Sequence, residues 1–301
     1  MAASVLRSFL FAPGNHPRRV EKALSLGADA VILDLEDAVA VGEKVATRKT
    51  VVEALSKPRT CKGYVRVNAI GTQWCLGDVM EAVRRGVDGI VLPKVESAAD
   101  LRTIDWLIAN LERERGLPPG RIDLMPIIET AAGFSRLDRI FGARSLKDYQ
   151  GPWRVKRMAF GAADFASDVG MTWTVGEEEL AEPRARIVIA SRAAGIEPPI
   201  DTVWVRLDDA AGLRASVERS LRLGFQGRMC IHPDQVTVVN EIFTPSPEEA
   251  VRAKKIVDAF KAAEASGLAA IQVDGAFVDY PVFHRAERVL ATLAAIRAKN
   301  R

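Results

Sequence analysis

Two stretches of the sequence place a carboxylate directly after an apolar run, and together their residue types could do chemistry. Met158-Ala159-Phe160 leads into Gly161-Ala162-Ala163-Asp164, and Met125–Ile128 leads into Glu129. The small residues 161–163 leave backbone N–H groups uncovered, so an anion could approach the main chain. Two carboxylates at adjacent strand ends could hold a hard divalent cation beside that anion. The pattern predicts a site for a metal ion and a small carboxylic acid, although either acid alone could be a helix cap or a solvated loop residue.

The types of the candidate ligands favour Mg²⁺, or Mn²⁺, over zinc. The three histidines and three cysteines form no HxxxH, HxH or CxxC pattern, whereas carboxylates with water are the ligands that Mg²⁺ prefers. We expect Glu129 and Asp164 to bind the metal directly. Glu36 and Asp37 would act through metal-bound waters, and the alternative for these two is that they cap the second helix.

Two cations stand near these acids in the predicted arrangement. Arg66 lies on the inward period of Val65-Arg66-Val67-Asn68, where a cation is costly to bury. Beside a metal it could stabilise a developing oxyanion, and a structural pair with Glu36 or Glu129 is a compatible alternative. For Lys94 the sequence favours a structural ion pair.

These residues need a scaffold that brings the ends of distant strands together. Eight apolar, β-rich runs recur with amphipathic helical patterns between them, which is the rhythm of βαβ units. They predict an α/β fold, a (β/α)₈ TIM barrel over residues 1–244, whose chemistry collects at the carboxyl ends of the strands. An open doubly wound sheet is the alternative, but no GxGxxG motif follows the first strand. The predicted strands are Val5–Phe11, Ala30–Leu35, Gly63–Asn68, Gly89–Pro93, Asp123–Glu129, Lys156–Gly161, Ile200–Val205 and Gly227–Ile231.

The last part of the chain, residues 245–301, has a different character. Pro245-Ser246-Pro247 starts a helix to about residue 266, and a short β-like segment and a final helix follow. We expect a small C-terminal α/β lid that is too short to hold its own core comfortably and packs on a neighbouring subunit. A polar insertion, Arg144–Arg154, is predicted to be a surface excursion.

Composition excludes several classes of partner. The chain has 301 residues, 48% of them hydrophobic and 27% charged, and a net charge of +3 without a Lys/Arg block, which disfavours nucleic acid. Three widely spaced cysteines fit a reducing compartment rather than a disulfide framework. No apolar stretch reaches the roughly 18–20 residues that cross a membrane, and few residues precede the first strand. We therefore expect a cytoplasmic protein with no membrane contact.

A set of short motifs occurs in the order found in one enzyme family. The chain closely resembles, over essentially its whole length, the citrate lyase β-subunit-like family, which includes citryl-CoA, malyl-CoA and citramalyl-CoA lyases. The combination is specific although each motif alone is not. The motifs are Arg7–Asn15, Leu33–Val39, Val65–Asn68, Leu92–Lys94, Ile128–Thr130, Phe160–Asp164 and Ile231–Gln235.

The resemblance implies a Mg²⁺ ion at Glu129 and Asp164 and places Arg66 at the reacting oxygen. It also implies a CoA thioester that crosses the rim near three residues at the start of the first helix. A helix N-terminus with nearby cations favours phosphate, which agrees with that placement, and a solvated basic face is the alternative. The three residues are Asn15, Arg18 and Lys22.

Relatives with a C-terminal lid close the site with a carboxylate from the adjacent subunit, and Asp279 is the best match to that acid. A homotrimer or hexamer is the assembly that this implies. The alternative for Asp279 is an N-cap of the final helix, because Pro281 stands just inside that helix.

The predicted reaction is a reversible Claisen-type cleavage of a 3-hydroxy-3-carboxyl acyl-CoA into acetyl-CoA and an α-keto acid. The amides of Gly161, Ala162 and Ala163 would orient the substrate carboxylate, Arg66 would stabilise the oxyanion, and Asp279 would deliver the proton. Met171 and Trp173 are candidates for bounding the keto-acid pocket. Three alternatives stay open: a CoA-independent aldolase, a malyl-CoA thioesterase, and a subunit of a citrate lyase complex.

Overall fold

The barrel predicted from the sequence is present. The structure, a computed structural model, describes residues 5–142 and 154–299. Within these residues eight parallel strands close into a barrel in sequence order, with β1 paired to β8, which confirms the (β/α)₈ prediction. The strands β1 to β8 are Ser8–Pro13, Ala30–Asp34, Lys62–Arg66, Gly89–Leu92, Asp123–Ile128, Ala159–Phe160, Ile200–Asp201 and Gly227–Cys230. The sixth and seventh are shorter than predicted; after β6 a helix begins at Ala162.

Helices follow the strands and cover the outside of the barrel. The helices α1 to α10 are Pro17–Ser25, Lys44–Ser56, Cys75–Ala82, Ala98–Glu114, Ala131–Ser135, Leu137–Gly142, Ala162–Asp168, Ala181–Ala193, Ala210–Leu223 and Pro233–Ile242. The longest of these, α4, begins with a capping box between Ser97 and Asp100, which satisfies two otherwise orphaned backbone N–H groups.

Apolar side chains fill the barrel interior and hold the strands in register. Burial on both faces of the sheet accounts for strand sequences without strict alternation. The interior cluster comprises Leu6, Phe9, Ala30, Ile32, Tyr64, Val91, Met125, Ile127, Ala159, Ile200 and Met229.

A cluster of charged side chains is fully buried between α8, α9 and the last two barrel strands. Arg184 contacts Glu177 at 3.0 Å and Asp201 at 3.1 Å, and Arg228 contacts Asp201 at 3.3 Å, with all four side chains at 0% exposure. Glu177 precedes α8 and has a φ of 57°. This left-handed turn points its carboxylate inward to meet the arginines.

Replacing Asp201 with Asn is expected to lower the free energy of unfolding by about 3 kcal/mol, because it leaves buried cations incompletely paired. Burial alone would raise the pKa of Asp201, but Arg184 and Arg228 bring it below its usual value. The stabilisation is therefore present above about pH 4 and is lost as the pH falls through the lowered folded-state pKa. Urea unfolding at pH 7 and at acidic pH measures both effects. The exposed Asp208→Asn variant is the control, and equal stability of the two variants would contradict the prediction.

The chain divides into two compact units, Leu6–Asn240 and a second unit from Glu241 onward that includes Val5. The boundary between the units falls between residues 240 and 241, whereas the sequence analysis placed it between residues 244 and 245. The second unit contains α11 (Pro247–Ala265), an antiparallel hairpin of β9 (Ile271–Val273) and β10 (Ala276–Val278), and α12 (Tyr280–Lys299). Contrary to the expectation of a tail without a comfortable core, Phe260 stacks on Phe283 at 4.7 Å within a buried apolar cluster of its own.

Most of the polar insertion predicted at Arg144–Arg154 lies outside the described residues. Its last residue does not fit a surface excursion, because Arg154 is buried and pairs with Asp105 at 2.6 Å and Glu112 at 2.9 Å. Across the described ranges, none of the helices combines the length and apolar character needed to span a membrane.

Candidate active site

The register of the barrel gathers the candidate residues at the carboxyl ends of the strands. Asp34 at the end of β2 stands opposite Arg66 at the end of β3. Ile128 of β5 stands opposite Phe160 of β6, so the next residues, Glu129 and Gly161, are neighbours. Acids and cations that are far apart in sequence therefore share one rim.

Arg66 is held in a fixed orientation by carboxylates. Its Nε donates to Asp34 Oδ1 at 2.7 Å and its Nη2 donates to Oδ2 at 2.6 Å, a two-pronged pair. Its Nη1 lies 3.0 Å from Glu36 Oε2 and 3.4 Å from Asp37 Oδ2. The guanidinium also packs over the ring of Phe11 at 4.9 Å. The structural pair predicted with Glu36 is present, and Asp34 is the main partner.

Asp34 is a candidate-site residue that the sequence analysis missed. Burial alone would raise its pKa, but Arg66 and the N–H groups of Glu36 and Ala38 lower it, so the carboxylate stays ionised. Burial alone would lower the pKa of Arg66, but the carboxylates of Asp34, Glu36 and Asp37 raise it. The signal in the sequence is an acid at the end of an otherwise apolar strand, within the Leu33–Val39 motif and shortly before the candidates Glu36 and Asp37.

Lys94 connects the two acidic groups of the rim. Its Nζ donates to Glu36 Oε1 at 2.5 Å, which is the structural ion pair that the sequence favoured. Its backbone N–H donates to Glu129 Oε1 at 2.8 Å. The residue adopts a left-handed φ of 51°, uncommon for a lysine, and such strained residues cluster at functional sites.

Glu129 and Asp164 form an electrostatically strained pair. Glu129 is 2% exposed, and burial together with the nearby carboxylates of Asp164 and Glu36 raises its pKa to about 8. In the described part of the chain no three His, Cys, Asp or Glu side chains come together as a metal cluster. Arg66 and Lys94 only partly offset this rise, so a further cation is needed to keep Glu129 ionised. Two hard carboxylate donors fit a cation that keeps several waters, as Mg²⁺ does.

Gly161 provides the space that Glu129 occupies. A Cβ added at residue 161 would lie 2.7 Å from Glu129 Cβ and closer still to Oε2. The φ of Gly161 is −101°, a value that any residue can adopt, so the requirement for glycine here is one of space and not of backbone freedom.

The predicted cradle of amides at 161–163 is wrong in part. The N–H of Gly161 donates to the carbonyl of Ile128 at 3.0 Å as part of the sheet. The N–H of Ala162 donates to Thr202 Oγ1 at 2.9 Å. Within the described residues the N–H groups that start α7 without an acceptor are those of Ala163 and Asp164, so an anion would meet the backbone at residues 163–164 instead of 161–163.

Thr202, directly after β7, is the second residue that the sequence analysis missed. It is fully buried, and its hydroxyl fixes the first N–H of α7 and thereby the turn that carries Asp164. The signal was absent from the sequence, because a threonine at a strand end has no distinguishing pattern.

The start of α1 offers less to a phosphate than expected. The helix begins at Pro17, which has no N–H, and the N–H groups of Arg19 and Val20 donate to the carbonyl of His16. What it does provide is exposed positive charge, from Arg18 and Lys22.

The third predicted CoA contact, Asn15, is half-buried. Its Nδ2 donates to Glu43 Oε2 at 2.5 Å, and its Oδ1 is buried without a hydrogen-bond partner among the described residues. This amide oxygen is an acceptor that a ligand's hydroxyl or N–H group could satisfy.

The remaining predicted residues lie on loops and in the second unit. Met171 and Trp173 are half-buried after α7, and Arg206 from the loop after β7 donates to the carbonyl of Trp173 at 3.2 Å. Asp279 is half-buried, and its Oδ1 accepts a hydrogen bond from the N–H of Val282 at 3.3 Å. It therefore caps the N-terminus of α12, the structural role that the sequence analysis gave as the alternative.

A closed barrel whose charged side chains gather at the carboxyl ends of its strands defines a (β/α)₈-barrel enzyme. The sequence model of the family described as HpcH/HpaI aldolase/citrate lyase matches residues 7–233. The chain therefore belongs to this family, and the expectation of a lyase is confirmed.

Individual relatives cover nearly the whole chain. Citrate lyase subunit beta of Leuconostoc mesenteroides subsp. cremoris is 35% identical over 286 residues, 94% of this chain and 92% of that relative. L-malyl-CoA/beta-methylmalyl-CoA lyase of Cereibacter sphaeroides is 34% identical over 314 residues, 97% of this chain and 96% of that relative. The crystal structure of CitE from Mycobacterium tuberculosis in complex with magnesium, acetoacetate and coenzyme A matches with a TM-score of 0.75 at 28% identity, over 98% of this chain and 100% of that chain.

Proposed function

We propose that the protein is a Mg²⁺-dependent carbon–carbon lyase that cleaves a 3-hydroxy-3-carboxyl acyl-CoA of the citryl-, malyl- or citramalyl-CoA type. The products are acetyl-CoA and an α-keto acid. The observation that carries the proposal is the buried Glu129 beside Asp164, with the fixed guanidinium of Arg66 at the same rim. Similarity to enzymes named for citrate and malyl-CoA cleavage supports the substrate class.

Glu129 and Asp164 are the residues that would hold the metal, with Glu36 and Asp37 acting through its waters. A bound Mg²⁺ would bind the carboxylate and hydroxyl oxygens of the substrate and withdraw electron density from them. The relative bound to magnesium, acetoacetate and coenzyme A supports magnesium as the metal.

The protein side chains then have separate tasks. The N–H groups of Ala163 and Asp164 orient the substrate carboxylate. The hydroxyl gives its proton to solvent water as the C2–C3 bond breaks, the C3–O bond becomes the keto group of the α-keto acid, and the electron pair of the C2–C3 bond moves into the thioester enolate. Arg66 stabilises the developing oxyanion, and Asp279 donates a proton to the enolate carbon, so that the two proton transfers balance.

The CoA portion and the lid complete the proposal. Asn15, Arg18 and Lys22 would contact the CoA portion through an amide and two exposed cations. Asp279 would come from the second unit of a neighbouring subunit in a homotrimer or hexamer. Its position at the end of a short hairpin, after the exposed Phe277, suits a residue that reaches into another chain's site.

A CoA-ester cleavage assay with Mg²⁺ tests this function. Malyl-, citramalyl- and citryl-CoA are offered separately to the purified chain, and every product is identified. The expected result is formation of an α-keto acid and acetyl-CoA, and this activity should disappear when the metal is chelated. The ester that reacts identifies the substrate. Free CoA with the intact hydroxy acid would indicate a thioesterase. Cleavage of only the free hydroxy acids, without CoA, would indicate a CoA-independent aldolase. Activity that requires partner chains would indicate a complex subunit.

Replacing Gly161 with Ala is expected to weaken Mg²⁺ binding and turnover by about 10- to 100-fold, because the new methyl group displaces the Glu129 carboxylate. Isothermal titration with Mg²⁺ and the ester assay measure the two effects. Gly142→Ala is the matched control, since a Cβ there meets nothing within 4 Å. Wild-type metal affinity in Gly161→Ala would remove Glu129 from the proposed metal site.

A further inference from the structure

Lys44, the first residue of α2, is a buried lysine close to the acidic rim. The residue is 6% exposed, and its Nζ donates to the carbonyls of Leu35 at 3.1 Å and Glu36 at 2.6 Å and to Asn68 Oδ1 at 2.7 Å. The ammonium also lies 5.4 Å from the ring centroid of Trp74. An ammonium group has three N–H donors, so all of them are used, and all three acceptors are uncharged.

These contacts fasten the loop after β2 to the loop after β3. Asn68 stands two residues after Arg66, and its Nδ2 donates to the carbonyl of Leu35 at 2.9 Å and to Asp78 Oδ2 at 2.7 Å. Arg48 in turn donates to Asp78 Oδ1 at 2.7 Å. Side chains from α2 and α3 thus form a continuous buried network beneath the backbone that carries Glu36.

Packing alone does not account for a lysine at this position. Burying an ammonium group whose direct acceptors are all neutral is costly, and a methionine of similar length would fill the space without burying a charge. Unlike a methionine, the lysine can hold the carbonyl of Glu36 in place by donating a hydrogen bond to it. The carboxylate of the same residue contacts Lys94 at 2.5 Å and Arg66 at 3.0 Å, so holding this backbone helps to place a carboxylate that, beside Asp34, orients Arg66.

We propose that Lys44 is a positioning residue for the lyase reaction, whose buried ammonium holds the loop 35–37 so that Glu36 orients Arg66 and Lys94. The inference rests on the proposed function and adds to it a residue that touches neither substrate nor metal. Its removal affects the chemical step more than substrate binding, because Arg66 acts on charge that develops during the reaction.

The test compares Lys44→Met with Lys49→Met in the full-length protein. Lys49 lies on the same helix, with a side chain that is 81% exposed. Lys44→Met is expected to lower kcat about 10²-fold, as small displacements of catalytic groups do, with the KM for the CoA ester within about threefold of wild type. Lys49→Met is expected to match the wild type in both constants.

Rescue by a free amine separates positioning from a general loss of structure. Ethylammonium should raise the turnover of Lys44→Ala at least about tenfold by occupying the vacated ammonium site, but not that of Lys44→Met, where the side chain fills the space. A Lys44→Met kcat within about threefold of wild type, or a Lys44→Ala variant that no amine restores, would overturn the proposal. If Lys44→Met does not fold, Lys44→Gln replaces it under the same criterion.

The wild-type assay tests the proposed function, and the ratio of variant to wild-type activity tests the proposed role of Lys44. Either proposal can therefore be refuted without the other. A wild type that cleaves only free hydroxy acids overturns the CoA-ester proposal, and the effect of Lys44 is then measured as the ratio of variant to wild type in that reaction.

Discussion

Asp279→Asn is expected to reduce cleavage of the CoA ester about 10³- to 10⁴-fold while the fold and Mg²⁺ binding stay unchanged. The amide of Asn cannot deliver a proton to the enolate carbon. It can still cap α12, because its oxygen can replace Asp279 Oδ1 as the acceptor of the Val282 N–H, and Asn and Asp are equally good N-caps. The variant therefore separates proton transfer from helix capping, the two roles considered for this residue.

Steady-state kcat with each CoA ester, together with thermal unfolding and Mg²⁺ titration, measures the effect. Asp274→Asn is the matched control, because Asp274 lies in the same hairpin region with a 61% exposed side chain paired to Lys255. Its left-handed φ of 46° is one that Asn tolerates well. Wild-type turnover in Asp279→Asn would show that this acid does not carry the proton.

Mixing two inactive variants tests whether the lid acts between subunits. In mixed oligomers of Asp279→Asn and Arg66→Lys, a site that pairs the first variant's barrel with the second variant's lid is intact. If the lid comes from a neighbour, random equal mixing restores about a quarter of the sites. If the lid serves its own barrel, the mixture stays as inactive as its components.

Arg66→Lys is the substitution with the second largest expected effect, a loss of about 10²- to 10³-fold in kcat. Lysine keeps the charge but cannot reproduce the planar two-pronged pair with Asp34 while also presenting a donor to the reacting oxygen. The pair distances of 2.6 and 2.7 Å and the 12% exposure of the side chain leave little freedom for an ammonium group to compensate.

The measurement is kcat and KM for the CoA ester, with the midpoint of urea unfolding recorded alongside. Arg222→Lys controls for the substitution itself, since Arg222 is 69% exposed in a surface pair with Glu218. A kcat loss with KM nearly unchanged supports action on the developing charge. A rise in KM alone would instead make Arg66 a substrate-binding residue.

The sequence by itself determined the barrel fold and the strand ends that carry the candidate catalytic residues. Eight apolar runs separated by amphipathic helices suffice because strands buried on both faces and helices with one apolar side are local patterns. Residues that end such strands must lie at one rim, so Glu129 and Arg66 could be expected there before any contact was known. The capping box of α11, from Ser246 to Glu249, is equally local.

The tertiary structure alone decided which partners these residues have. Asp34 meets Arg66 because strand register places them side by side, and the Ala162 N–H is engaged because Thr202 arrives from a different strand. No sequence pattern distinguishes Lys44 or Glu177, yet both are buried charges. Their partners include residues distant in sequence, Asn68 for Lys44 and Arg219 for Glu177. The physical reason is that hydrophobic periodicity specifies an element from its own residues. The pairing of polar groups from different elements depends on register and packing between those elements, and no local pattern encodes it.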